Sequence, residues 1–120
     1  MKKLTTAEEK IMKMFWDYGP SIVSGLIEKM PDPKPPHSSV STIVRILERK
    51  GFLSHKAYGR TYEYYPVIQK EEYTKMTLKE ILSGYFGNSP KSLVSFLVQE
   101  EKADIKELTE LLQELEKKEK

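Results

Sequence analysis

The stretch His37–Pro66, HSSVSTIVRILERKGFLSHKAYGRTYEYYP, constrains the fold more than any other part of the chain. Four prolines in Pro31-Asp32-Pro33-Lys34-Pro35-Pro36 precede it. Proline fixes φ and removes a donor, so those six residues are a rigid connector. After them Val40, Ile43, Val44 and Leu47 recur at i, i+3, i+4, i+7, which predicts a helix from about Ser38 to Lys50 with those four toward the core. Ser41, Thr42, Arg45 and Arg49 then fall on the opposite side, with Ser38 one turn earlier. Gly51 is a natural residue just past a helix end. Phe52–Ala57 and Thr61–Tyr65 are rich in strand formers and flank Tyr58-Gly59-Arg60, the pattern of a hairpin that Pro66 closes.

The flanking segments are helical by the same criteria. Thr6 is placed to cap a first helix bearing Ala7, Ile11, Met14, Phe15 and Tyr18, which Gly19-Pro20 ends. Ser21 is then the expected cap of a second, with Ile22, Leu26, Ile27 and Met30 on its buried side. Beyond Pro66, residues 69–86 suit a helix with Tyr73, Met76, Leu78, Ile81, Leu82, Tyr85 and Phe86. Gly87-Asn88 breaks it, and Ser89-Pro90 opens another from Lys91 to about Gln99 with Leu93, Val94, Phe96, Leu97 and Val98. Asp104 is placed to cap a last helix in which Ile105, Leu108, Leu112 and Leu115 hold a/d spacing and Leu111 widens the stripe.

The expected fold is mostly α with a small β-hairpin wing. Residues 1–68 form a winged helix-turn-helix domain and residues 69–120 a helical dimerisation region. The C-terminal helices have apolar faces but form too short a segment to bury them alone, and two copies about a two-fold axis solve that. Leu82, Phe86, Leu93, Phe96, Leu97, Ile105, Leu108, Leu112 and Leu115 are the expected contact residues.

Net charge is only +2, but it is unevenly spread. Residues 1–68 hold 11 Lys/Arg against 7 Asp/Glu, and residues 69–120 hold 9 against 11. Between 37 and 61 the basic residues Arg45, Arg49, Lys50, Lys56 and Arg60 face one acid, Glu48. A local basic patch is what phosphate binding requires. The helix opening Ser38-Ser39-Val40-Ser41-Thr42 offers hydroxyls without bulk that blocks approach to a groove. Ser38, Ser39, Ser41, Thr42, Arg45, Arg49, Lys56, Tyr58 and Arg60 are therefore the candidate DNA-contacting set. In it Arg45 reads a guanine, and Arg60, with Lys56 and Tyr58, holds the flanking backbone. Tyr62 and Tyr64 alternate onto one strand face and are expected to rest on the third helix, and Trp16 is expected in the core.

Catalytic chemistry has no foothold. With no cysteine there is no thiol nucleophile, disulfide or cysteine-ligated metal. His37 and His55 lie in different elements without matching carboxylates, and no phosphate-cradling glycine loop or nucleophile elbow occurs. Glu8-Glu9 and Glu71-Glu72 are adjacent on helices, diverge by roughly 100° and are expected to be solvated. No enzyme, cofactor or metal is expected. Lys2-Lys3 have no apolar run behind them and no 18-residue apolar stretch occurs, so neither a signal peptide nor membrane insertion is expected and the cytosol is the default location.

Three segments carry a family resemblance: LTTAEEKIMKMFWDYGP, SSVSTIVRILERKGFL and the wing GRTYEYYP, with Gly59, Arg60, Tyr62, Tyr64 and Pro66 in place. KSLVSFLVQEE followed by KELTELLQEL extends it over nearly the whole chain. The sequence resembles the penicillinase-repressor family, winged-helix dimers that silence β-lactam-resistance genes in bacteria. The resemblance implies a homodimer on a dyad-symmetric operator of double-stranded DNA, bound through the third helix of each subunit. It also implies release by proteolysis, triggered by a membrane metalloprotease sensor, with the scissile bond around Phe96-Leu97. No Asn-Phe pair stands in Leu93–Gln99, and Ile46 replaces an arginine common in relatives. A copper-responsive branch that uses C-terminal cysteines is excluded. Two other readings are a winged helix serving protein contacts without operator binding, and a small-molecule-sensing regulator.

Overall fold

The computed structural model describes residues 3–100 together with 106, 110, 113 and 114. The chain divides into two compact units, Met1–Glu72 and Tyr73–Lys120.

In the first unit α1 spans Thr6–Tyr18 and is capped by Thr5 rather than Thr6. The reason is reciprocity. Glu8 stands three residues after Thr5, so the Glu8 amide donates to Thr5 Oγ1 (3.2 Å) while the Thr5 amide donates to Glu8 Oε1 (3.1 Å). The helix buries Ile11, Met12 and Phe15, whereas Ala7 and Tyr18 are exposed. α2, Val23–Glu28, starts later than expected and has no side-chain cap. Ser21 is extended instead, its amide and carbonyl both paired with the backbone of Tyr64 at 2.9 Å. Val23 and Leu26 are the buried residues of this helix, and Ile22 is exposed. Lys34 Nζ, from the proline connector, donates to the carbonyls of Met30 (2.8 Å) and Glu28 (3.1 Å), closing the orphan end of α2.

α3 covers His37–Arg49 and buries Val40, Val44 and Leu47, with Ile43 half-buried. Its end is a Schellman motif: Phe52 N–H donates to Leu47 O (3.0 Å) and Gly51 N–H to Glu48 O (3.0 Å). Gly51 supplies the left-handed φ of +86° that this reversal needs.

β1 (Leu53–Tyr58) and β2 (Thr61–Pro66) pair antiparallel, with Leu53 opposite Pro66, His55 opposite Tyr64 and Tyr58 opposite Thr61. The two-residue turn has positive φ at Gly59 (+64°) and not at Arg60, the sign pattern of a type II′ hairpin. Phe15, Phe52, Met12, Leu26, Leu47, Leu53 and Val44 are the largest fully buried side chains. Burying a side chain of this kind contributes about 1.5–3 kcal/mol. Trp16 lies at the edge of this core, half-buried, where its indole N–H donates to Ile68 O (3.0 Å). Three helices closed by a hairpin make this unit a winged helix.

In the second unit α4 (Lys70–Tyr85) continues from the first, and α5 spans Pro90–Gln99. Ser89 caps α5, accepting from the Ser92 amide (3.2 Å), with Pro90 at the first helical position. The intervening break uses positive φ at both Gly87 and Asn88. Phe86 and Phe96 are tilted ring to ring at 5.7 Å. Of the expected dimer residues, Leu82, Phe86, Leu93 and Leu97 are half-buried and Phe96 is 49% exposed. Ile105, Leu108, Leu112 and Leu115, with Asp104 and Leu111, lie outside the described residues. No helix among the described residues is long and apolar enough to cross a membrane.

Candidate nucleic-acid interface

Burial of Val40, Val44 and Leu47 dictates which side chains of α3 face outward. Ser38, Ser39, Thr42, Arg45 and Arg49 are exposed, and Ser41 and Ile46 are half-buried at the two margins. The helix is 13 residues long, or about 20 Å, and slender enough for a groove roughly 12 Å wide. Thr42 Oγ1 donates to Ser38 O (2.9 Å), which leaves that side chain a lone pair and a methyl to present outward. Arg45 is held only loosely, by Nη2 to Ser41 Oγ (3.3 Å) and Nε to Ser41 O (3.4 Å). Thr42, Arg45, Glu48 and Arg49 line one surface concavity.

The hairpin is fixed to α3 by one face. Strand alternation places Leu53, His55 and Ala57, with their partners Pro66, Tyr64 and Tyr62, on the same side. On that side His55 Nδ1 lies 2.5 Å from Glu48 Oε2 of α3. Tyr64 is buried, and its phenol is pushed above its ordinary pKa, first by burial and then by the nearby Glu48 charge. It remains a neutral hydroxyl at any pH relevant to DNA binding. Tyr62 does not lie under the helix as expected. It is 47% exposed and stacks on the His55 ring at 4.3 Å, because the hairpin has already left the core at this point.

Arg60 and Thr61, at the wing tip, line a groove of about 320 Å³ with Tyr62, Ser24 of α2 and His37 and Ser41 of α3. The structure thus brings Ser41 and Arg60 to one groove, with the exposed α3 set beside it. Lys56 and Tyr58 stand apart. They project from the other face of the hairpin, where Lys56 is opposite Glu63 and Tyr58, 60% exposed, is opposite Thr61. His37, Ser24 and Thr61 were not among the expected contacts. The Ser21–Tyr64 pairing ties the start of α2 to the wing, and no local pattern announces that pairing. No cluster of three or more metal-ligating side chains occurs among the described residues.

From residue 4 to residue 117 the chain matches the family model described as penicillinase repressor. The chain belongs to the penicillinase-repressor family. That family is one of transcriptional repressors and not of enzymes. The penicillinase repressor of Bacillus licheniformis is 26% identical over 124 residues, covering 97% of this chain and 94% of that protein. The methicillin resistance regulatory protein MecI of Staphylococcus aureus (strain N315) is 24% identical over 117 residues, covering 97% and 95%. A solved CopR repressor structure aligns with 57% of this chain and all of that one, at a TM-score of 0.46 and 25% identity. The penicillinase-repressor segment SSVSTIVRILERKGFL corresponds to α3 and the start of β1, and GRTYEYYP to the wing turn and β2.

Proposed function

We propose that this repressor binds a dyad-symmetric DNA operator as a homodimer, each subunit placing α3 in the major groove and its wing on the flanking backbone. The observation that carries the reading is the outward face of α3, where small hydroxyls and two arginines stand beside a groove shared with Arg60. Arg45 exchanges its weak Ser41 contacts for the O6 and N7 acceptors of a guanine. The Thr42 methyl suits a thymine methyl, and Ser38, Ser39 and Ser41 serve bases or phosphates. Arg49 and Arg60 meet phosphate. Lys56 and Tyr58, on the far face of the hairpin, are left for DNA running past the wing.

Dimerisation belongs to the second unit, through Leu82, Phe86, Leu93, Phe96 and Leu97 and the a/d seam Ile105, Leu108, Leu112, Leu115. A site for proteolytic release is placed at Phe96-Leu97, answering to a membrane metalloprotease sensor. Both residues lie inside α5, so cleavage requires that helix to open locally. The proposed setting of this regulator is the cytosol.

Gel-shift against genomic fragments at two salt concentrations tests the reading. A fragment-specific shift that weakens steeply with salt supports it. The absence of any specific shift replaces it with a winged helix devoted to protein contacts.

A further inference from the structure

We propose that Glu48 and His55 are positioning residues that set the angle of the wing to α3, acting through Tyr62 on the tip that carries Arg60. The proposal rests on the reading of α3 and the wing as the DNA-contacting elements.

Cross-strand bonds hold β1 to β2 but do not fix the pair against α3, and an isolated two-stranded hairpin is marginal in water. The base of the hairpin is anchored by buried Leu53 and Tyr64, and Tyr64 is further joined to Ser21 by two backbone bonds. From Lys56 to Tyr62 every residue is exposed. Among the described residues the Glu48–His55 contact is therefore the last side-chain hydrogen bond between wing and helix before the tip. Facing a carboxylate, Nδ1 carries the ring proton and donates it. The ring so oriented stacks on Tyr62, with planes 16° apart, and Tyr62 meets Tyr64 edge-on at 6.4 Å. One hydrogen bond thus fixes an aromatic plane, and that plane fixes the strand that turns into Thr61 and Arg60.

The end of β1, Tyr58, lies three residues past His55, roughly 10 Å at about 3.3 Å per residue, and the turn follows it. Rocking an arm of that length by roughly 20° displaces its end by roughly 3 Å, as much as a whole hydrogen-bond distance. Glu48 is otherwise an odd residue to find here. It is the lone acid of the 37–61 stretch, beside Arg45 and Arg49, where a carboxylate opposes phosphate. Positioning the wing accounts for it.

Both side chains are about one-third exposed (Glu48 30%, His55 31%), so their replacement spares the core. The test uses the full chain as wild type, Glu48→Ala, Glu48→Gln and His55→Ala, each with and without Arg60→Ala. Heteronuclear NOEs at the Gly59 and Arg60 amides read wing order without DNA. Rigid amides are expected in wild type and Glu48→Gln, and mobile ones in Glu48→Ala and His55→Ala. With DNA, Arg60→Ala is expected to lower the salt slope by about one unit per half-site in wild type and Glu48→Gln, and by much less in the other two backgrounds. Glu48→Gln removes the charge but keeps an oxygen for the imidazole, which separates position from electrostatics. Equal amide mobility in all four proteins overturns the proposal, as does an Arg60→Ala effect that is the same in every background. A wild type that binds no DNA sinks the operator reading instead, and the amide mobility alone then decides the role of Glu48 and His55.

Discussion

Arg45 and Glu8 show how differently single residues submit to a sequence reading. Arg45 sits on the face opposite Val44, and helical spacing suffices to put it there. Its guanidinium makes two weak hydrogen bonds to Ser41. Arg45→Ala is expected to relax base preference at one position of each half-site by about 1–3 kcal/mol, measured by competition among single-base operator variants. Glu8 escaped the same treatment. Its adjacency to Glu9 suggests a solvated helix face, yet it is 6% exposed and bound to Lys50 Nζ at 2.5 Å and to the Thr5 amide. Thr5-x-x-Glu8 is a capping-box pattern that the choice of Thr6 as cap passes over; Lys50, arriving from the end of α3, leaves no local signature at all. Burial is the largest influence on this carboxyl and opposes ionisation, but Lys50 and the Thr5 bonds together outweigh it and hold its pKa below the ordinary value of 4.5. A lowered folded-state pKa contributes stability that is present above the unfolded value and lost as pH falls through the folded one. Urea unfolding is therefore expected to show a decline below about pH 5, and Glu8→Gln is expected to flatten that decline while costing about 1–3 kcal/mol at pH 7.

Elements written in a local code were legible, and those decided by distant pairing were not. α3 was read from Val40, Val44 and Leu47, and its stop from Gly51, because burial periodicity and a left-handed residue act within a few positions. Gly51→Ala has open space for its methyl, so its cost is the backbone strain of φ +86°, roughly 1–2 kcal/mol and visible as a lower Tm. The start of α2 was misplaced because Ser21 spends its backbone on Tyr64 rather than its hydroxyl on a cap. Tyr62 was misplaced because period-two alternation says which face a side chain shares, not where the hairpin leaves the core. The wing's charge was legible at Arg60. Arg60→Ala is expected to weaken all DNA sequences alike and to flatten the salt slope by about one unit per half-site, in titrations at several salt concentrations.

For the molecule as a whole, the proposed function puts operator recognition in one unit and assembly in the other, so different substitutions are expected to affect the two. Phe96, half exposed on α5, is an apolar side chain that a second copy would cover. Phe96→Asp in the full chain is expected to shift sedimentation from dimer to monomer. It is expected to reduce operator affinity far more than it lowers the Tm, since half of the paired contacts are lost without touching the winged-helix core. The expectation of a two-fold assembly rests on apolar faces too large for a short C-terminal segment and on the a/d repeat of Ile105, Leu108, Leu112 and Leu115, both local patterns that need no tertiary knowledge. The shared groove of Ser24, Ser41 and Arg60 needed the folded chain, because three elements converge there.

The decisive measurement is titration of the full chain against an intact dyad operator and against one half-site, from 50 to 200 mM salt, in wild type and Arg45→Ala. A dimeric reader binds the intact dyad far more tightly than the half-site, loses affinity steeply with salt, and loses base discrimination in both half-sites when Arg45 is removed. Equal affinity for dyad, half-site and unrelated DNA, unchanged by Arg45→Ala, contradicts it.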